Sequence, residues 1–65
     1  MKRKDESLWN ALKEGCELNE VALDKFGFEY IEDIGGLDIY ENKGIKLIVR
    51  PLKNDMYRII YKCRL

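Results

Sequence analysis

The spacing of apolar residues changes once along the chain, at Gly27. From Ser7 to Phe26 apolar side chains recur at helical spacing, whereas from Phe28 onward apolar and polar side chains alternate. Because a helix and a strand have different periods, the chain divides into a helical third and a sheet. A chain of 65 residues has room for one domain with one core. We therefore predict a single small α+β domain over residues 1–65.

The helical segment is interpreted as one amphipathic helix. A single helix places its apolar side chains on one side, with Asp5 or Ser7 as N-cap and Gly27 as the residue after the C-cap. An alternative breaks the helix at Gly15 and lets Asn19 cap a second helix, since glycine costs about 1 kcal/mol in a helix interior. However, Gly15 lies within the apolar stripe, where a missing side chain allows close approach to a sheet. We therefore favour the single helix.

Three regularly spaced turn signals predict four antiparallel strands joined as a meander. They are Gly35-Gly36, Asn42-Lys43-Gly44 and Lys53-Asn54-Asp55. A two-residue first loop pairs Ile34 with Leu37. A three-residue second loop with Gly44 in the left-handed region pairs Ile39 with Leu47. The predicted fold class is α+β, with one N-terminal amphipathic helix packed on a four-stranded antiparallel β-meander in two layers.

The third loop pairs Val49 with Ile59, and the combined register sorts the strand residues into two faces. The face expected under the helix contains Phe28, Tyr30, Ile34, Leu37, Ile39, Ile45, Leu47, Val49, Ile59, Tyr61 and Cys63. On the other face, four apolar side chains form a row across the strands: Ile31, Tyr40, Ile48 and Ile60. Scattered exposed apolar residues are common, which leaves a plain solvated face as the alternative. Because an apolar centre inside a charged rim is typical of protein interfaces, we predict that this row binds a partner.

Basic side chains on the same second face form a candidate anion site. They are Arg50, Arg58, Lys62 and Arg64. The register places Arg50 opposite Arg58 and Lys46 opposite Lys62, and like charges directly opposite each other are destabilising. Neighbouring acids, a bound anion or a second protein would offset this repulsion. The set predicts, as the alternative function, a binder of nucleic acid or of a nucleotide-like anion. One aromatic residue and no RNP-like motif on this face disfavour that alternative.

The formal net charge is zero, with 12 basic and 12 acidic residues, but the charges are segregated along the chain. Residues 1–4 carry three positive charges. Residues 5–41 carry two lysines against eleven acids, a net charge of −9, and residues 43–65 carry seven basic residues against one acid, a net charge of +6. These opposed fields can complement each other within one chain or between copies. Alternatively, the basic hairpin can contact phosphate, or the acidic helix can dock on a basic surface of another protein.

Catalytic and metal-binding patterns are sparse. The chain has no His, which removes the commonest general base and the commonest metal ligand. Cys16 and Cys63 are isolated and lie on the predicted core side, so we expect buried, reduced thiols rather than zinc ligands or nucleophiles. The neighbouring acids Glu32 and Asp33 point to opposite faces of a strand. We therefore predict no enzyme activity, no metal and no cofactor.

The sequence also predicts a cellular setting. The basic residues at the start are followed by no apolar stretch of signal-peptide length, and the longest apolar run is Ile45–Val49, which Lys46 interrupts. Isolated cysteines favour a reducing compartment, so we expect a cytoplasmic protein. Because the chain begins with Met, we also expect a complete small reading frame. The helix-then-meander pattern is typical of short reading frames of bacteria and their phages.

The predicted function is that of a small non-catalytic protein-binding module. So small a core gains stability from assembly, which predicts a homo-oligomer. In a phage or bacterial setting we expect the module to act as an inhibitor or adaptor of a larger protein.

Overall fold

The fold is a five-stranded antiparallel sheet with two short helices on one side. The computed structural model describes the backbone of residues 4–65 and the side chains of residues 6–65. The elements in chain order are α1 Lys4–Ala11, β1 Glu17–Asn19, α2 Glu20–Lys25, β2 Glu29–Ile34, β3 Leu37–Glu41, β4 Ile45–Pro51 and β5 Met56–Arg64. The strand order across the sheet is β1-β5-β4-β3-β2. Within the described chain, no helix has the length and apolar character needed to cross a membrane.

The prediction of one long N-terminal helix on a four-stranded meander is wrong. The helical segment is divided into α1 and α2, and β1 lies between them and adds a fifth strand beside β5. Gly15 has a φ of +90°, outside the helical region, and its N–H donates to the carbonyl of Ile59 on β5 at 2.7 Å. Asn19 caps α2, since its side-chain oxygen accepts from the N–H of Ala22 at 2.8 Å. The segment therefore follows the alternative with a break at Gly15.

The predicted N-cap of the helical segment is wrong, whereas its predicted C-terminal end is confirmed. Asp5 and Ser7 lie inside α1, so neither is its N-cap. Gly27 follows the C-cap Phe26 with a φ of +81°, which confirms it as the glycine that ends the helical segment. The basic residues Lys2 and Arg3 lie outside the described part of the chain.

The register between β3 and β4 is shifted by one residue from the predicted register. The first hairpin pairs Ile34 with Leu37, as predicted. In the second hairpin Ile39 pairs with Ile48 rather than with Leu47. The N–H of Asn42 donates to the carbonyl of Ile45 at 3.0 Å, so the loop contains two residues instead of three. Because successive side chains alternate between faces, this one-residue difference exchanges the faces of all β3 residues.

Two bulges change the remaining registers. Val49 pairs with Ile59 and Arg50 with Arg58, both as predicted, but beyond the irregularity Ile48 pairs with Tyr61. Ile60 is thus the extra residue of β5. Ile31 is the corresponding extra residue of β2, between the pairs formed by Tyr30 and Glu32. Each bulge reverses which side of the sheet the following residues face.

The core lies between the sheet and the helices, on what we call the covered face. Ile45, Leu47 and Val49 of β4 are each 0% exposed. Burial of such side chains contributes about 1.5–3 kcal/mol each. The cluster is completed by Leu12, Leu23, Phe28, Tyr40 and Ile59. Five residues predicted for this side, Ile34, Leu37, Ile39, Tyr61 and Cys63, lie on the opposite face, which we call the open face.

Candidate functional site

The predicted partner-binding row does not exist as a row in the fold. Tyr40 lies on the covered face and is 8% exposed, with its ring edge-on to the rings of Tyr30 and Tyr57. Ile31 and Ile60 occupy the two bulges and are 46% and 37% exposed. Only Ile48 lies at the centre of the open face.

A different apolar row crosses the open face. Residues paired directly across four strands form the order Glu32, Ile39, Ile48, Tyr61. Ile39 is 6% exposed, Ile48 is half-buried and Tyr61 is 48% exposed. Both helices contribute their apolar side chains to the covered face, so within residues 4–65 no helix lies over this row. Ile34 and Leu37, a directly paired couple on the same face, extend the apolar area toward the β2–β3 turn. We call Ile34, Leu37, Ile39, Ile48 and Tyr61 the apolar patch.

Charged side chains border the apolar patch on both sides. Toward the β3–β4 turn, Glu29 pairs with Glu41, Glu41 with Lys46, and Lys46 with Cys63. Toward the other end, Arg50 pairs with Arg58, and Arg58 pairs with Glu17. The acids of the open face therefore lie mainly on β2 and β3, whereas its bases lie on β4 and β5. The charges that are segregated along the chain are therefore also segregated across this face, because β2 to β5 are paired in chain order.

The repulsion predicted between Arg50 and Arg58 is offset by β1. The Nη2 atom of Arg58 lies 2.8 Å from Oε2 of Glu17, and the two side chains are 47% and 42% exposed. An exposed ion pair of this kind contributes about 0.2–1 kcal/mol. Arg50 makes no ion pair with any residue whose side chain the structure describes. The same holds for Lys46, so Arg50 and Lys46 are the two cations of the open face that are available to a partner.

The four residues of the predicted anion site are divided between the two faces. Arg50 and Arg58 lie on the open face, whereas Lys62 and Arg64 lie on the covered face beyond the Ile60 bulge. There Lys62 Nζ and the guanidinium of Arg64 lie 4.2 Å and 4.4 Å from the ring centroid of Trp9. Arg64 also pairs with Glu6 at 3.5 Å. The structure therefore does not bring the four cations together, and Lys46 faces Cys63 rather than the predicted Lys62.

Both cysteines lie outside the buried core. Cys16 is exposed and Cys63 is half-buried on the open face, so the prediction that both are buried core thiols is wrong. Both thiols are free. Among the residues described by the structure, no three His, Cys, Asp or Glu side chains are grouped to hold a metal ion. The candidate functional site is the apolar patch with its charged border.

Four of the five patch residues were missed because the sequence register assigned them to the covered face. A signal for part of this set is present in the turn residue Asn42, whose side chain accepts from the N–H groups of Gly44 and Ile45 at 3.0 Å and 2.9 Å. An Asx turn of this type favours a tight loop over the three-residue loop, and the tight loop moves Ile39 and Leu37 to the open face. No comparable local signal marks the bulge at Ile60.

Comparison of the chain with protein-family models, with curated proteins and with solved structures finds no match. Any function must therefore be argued from the geometry of the apolar patch and its charged border.

Proposed function

We propose that the protein is a small non-catalytic protein-binding module that forms a homodimer through the open face of its sheet. The observation that supports this proposal is the apolar patch, which neither helix covers. Its border is mainly acidic on β2 and β3 and basic on β4 and β5. The sequence contributes a second argument, since a chain without His lacks the usual general base.

The charge arrangement favours a second copy as the partner. Two sheets pack face to face about 10 Å apart with their strands nearly aligned. A two-fold axis parallel to the strands, between β3 and β4, lays β3 of one copy over β4 of the other. Ile39 then faces Ile48 of the second copy, and Glu41 faces Lys46. The same contacts occur twice, as the symmetry of a dimer requires.

The expected affinity is modest. The patch spans four strands, each about 4.8 Å wide, so the interface is at the small end of specific protein contacts. Interfaces of this size belong to weak or transient complexes, and we expect a dissociation constant in the micromolar range. Association must therefore be measured up to several hundred micromolar protein.

Charge reversal at Glu41 and Lys46 tests the proposed geometry. Glu41→Lys alone and Lys46→Glu alone should each weaken self-association, because each homodimer then contains two like-charge contacts. An equimolar mixture of the two variants should associate about three- to tenfold more tightly than either one alone, because both contacts become attractive. Sedimentation equilibrium of the two variants and of their mixture measures this difference.

A control pair separates local contact from overall charge. Glu14→Lys and Lys25→Glu change the net charge by the same amounts at exposed positions that lie outside the open face. Their mixture should show no gain in association over the single variants. Equal gains in the two mixtures, or a strict monomer for the unmodified chain at several hundred micromolar, would contradict the proposed dimer.

The proposal also places the protein in the cytoplasm. Two free cysteines support this location, because an exposed thiol such as Cys16 persists in a reducing compartment. Thiol titration of protein isolated from its host under acid quench should find two free thiols per chain. A mixed disulfide at Cys16 as the main species would contradict this location. A role as inhibitor or adaptor of a larger protein stays a prediction.

A further inference from the structure

An open cleft of about 400 Å³ lies between α2 and the β2–β3 hairpin, away from the apolar patch. Leu23 and Phe28 form its apolar floor and are 1% and 5% exposed. Tyr30 and Tyr40 line one side, and Glu20 and Asp24 of α2 line the other. All residues that line the cleft are acidic, aromatic or aliphatic. A volume of this size fits a small organic molecule.

The two tyrosine rings form a corner in the cleft. Their centroids are 5.7 Å apart and their planes meet at 72°. Tyr40 is held in place from behind by Tyr57, whose ring lies edge-on at a centroid distance of 5.9 Å. Tyr30, in contrast, is 55% exposed and its ring is accessible to a ligand. The faces of tyrosine rings carry negative charge density and attract cations within about 6 Å of the centroid.

The electrostatic field at this corner is negative. Asp33 and Asp38 lie directly opposite each other on the covered face beside Tyr30. Burial raises the pKa of the Tyr30 hydroxyl, and the carboxylates of Asp38, Asp33 and Glu32 raise it further. Burial likewise raises the pKa of Tyr40, with its hydrogen bond to Tyr57 as the next cause and Asp38 and Glu20 among the smaller ones. Both hydroxyls therefore stay protonated, and the carboxylates supply the charge.

We propose that this cleft binds an organic ammonium cation, with the alkylated nitrogen against the rings of Tyr30 and Tyr40 and the charge balanced by Glu20 and Asp24. An alkylated ammonium matches the cleft because its methyl groups contact the apolar floor while its charge interacts with the ring faces. A bare metal ion does not match, since it requires several converging oxygen ligands. The same chemistry is carried by a free quaternary amine and by a trimethylated lysine side chain of a peptide.

The test is an NMR titration of the full chain, at a concentration low enough to keep it monomeric. The probes are tetramethylammonium chloride and a short peptide with one trimethyllysine, and the controls are sodium chloride at equal ionic strength and the neutral tert-butyl alcohol. Tetramethylammonium should give saturable shifts at the amides of Leu23, Phe28 and Tyr40. Tighter binding of the peptide than of tetramethylammonium would identify a protein side chain as the source of the cation, and equal binding would identify the free amine. Shifts from tert-butyl alcohol that equal those from tetramethylammonium would overturn the proposal, as would the absence of saturation by either cation.

Two substitutions of similarly exposed tyrosines, one in the cleft and one on the open face, test whether tetramethylammonium binds in the cleft. Tyr30→Leu should weaken tetramethylammonium binding about fivefold, because one ring contact is lost. Glu20→Gln should weaken it about two- to threefold. Tyr61→Leu removes a tyrosine of similar exposure, 48% against 55%, from the open face and should leave binding unchanged. A Tyr61→Leu effect as large as that of Tyr30→Leu would overturn the assignment to the cleft. Because Tyr30 is exposed, its replacement leaves the fold intact, and the amide spectrum of the free variant checks this.

Discussion

At the scale of single residues, Asn42 decides which side chains reach the open face. Its side-chain oxygen accepts from the N–H groups of Gly44 and Ile45, and its side-chain nitrogen donates to the carbonyl of Phe26 at 3.3 Å. One amide thus closes the β3–β4 loop and ties it to the end of α2. The resulting two-residue loop places Tyr40 in the core and Ile39 on the open face.

A second residue-scale feature is the pair of carboxyl groups on β2 and β3. Asp33 and Asp38 are direct cross-strand partners. Burial raises the pKa of the Asp38 carboxyl above its ordinary value of 3.8, and the carboxylate and hydrogen bond of Asp33 raise it further. A carboxyl with a raised pKa holds its proton more tightly in the folded state than in the unfolded state. Its contribution to stability is therefore fully present below pH 3.8 and is lost as the pH rises through the raised value.

Asp38→Asn should remove this loss of stability. At pH 7 we expect the free energy of unfolding to rise by about 0.5 kcal/mol, because two like charges no longer oppose each other. Below pH 3.8 the variant and the unmodified chain should have equal stability. Urea denaturation at several pH values measures both. Glu14→Gln, at an exposed carboxyl in the loop before β1, serves as control, and a gain for that variant as large as for Asp38→Asn would contradict the explanation.

At the scale of elements, the insertion of β1 between two short helices is the main departure from the expected fold. Leu12, Leu18 and Leu23 share one stripe on a helical wheel, yet they belong to a loop, a strand and a helix. All three contact the same core. The helical pattern therefore identified these three leucines as core residues, but it misidentified the backbone that presents them and wrongly assigned the exposed Cys16 to the buried side.

Gly15→Ala distinguishes the broken segment from a continuous helix. No atom lies within 4 Å of an added Cβ, so the cost comes from the backbone alone at a φ of +90°. We expect the free energy of unfolding to fall by about 1–2 kcal/mol, whereas in a continuous helix the same change would raise it by about 1 kcal/mol. Urea denaturation gives the sign. Gly15→Asn should cost less than Gly15→Ala, since Asn tolerates the left-handed region better. A stabilising Gly15→Ala would rule out the break.

At the scale of the whole molecule, the two faces of the sheet differ in burial. The covered face is packed into the core, whereas the apolar patch of the open face is only partly buried. The covered face contains the fully buried residues, including Leu23, Ile45, Leu47, Val49 and Ile59. In the proposed dimer, a second copy would cover the apolar patch of the open face. Because small domains gain stability from assembly, the proposed dimer predicts that stability and association are coupled.

Thermal unfolding tests this coupling. Above the dissociation constant, the midpoint of unfolding should rise by about 3 °C for each tenfold increase in protein concentration. Ile48→Asp should abolish the concentration dependence, because a charge at the centre of the patch prevents contact between two copies. Val21→Asp is the matched control, since Val21 is 72% exposed on α2 and should leave the dependence unchanged. A midpoint that is independent of concentration in the unmodified chain would contradict the coupling.

The features that depend on neighbouring residues could be predicted from the sequence. The change of period at Gly27 separated the helical segment from β2–β5, and the three turn signals placed the hairpins. The pairs Ile34–Leu37, Val49–Ile59 and Arg50–Arg58 and the burial of Phe28 and of the core residues of β4 are confirmed. These features follow from turn chemistry and alternation, which act over a few residues.

The part of the open face that β5 contributes depends instead on long-range packing. Ile60 is accommodated as a bulge, and Lys62 and Arg64 are then placed against Trp9, with Lys62 donating to the carbonyl of Trp9. The partners are more than fifty positions apart in sequence. In β5 a shift of register by one residue exchanges two faces of similar apolar content, and no turn signal comparable to Asn42 chooses between them. The choice is made by long-range packing, which includes the ring of Trp9 on one face and the ion pair of Glu17 with Arg58 on the other.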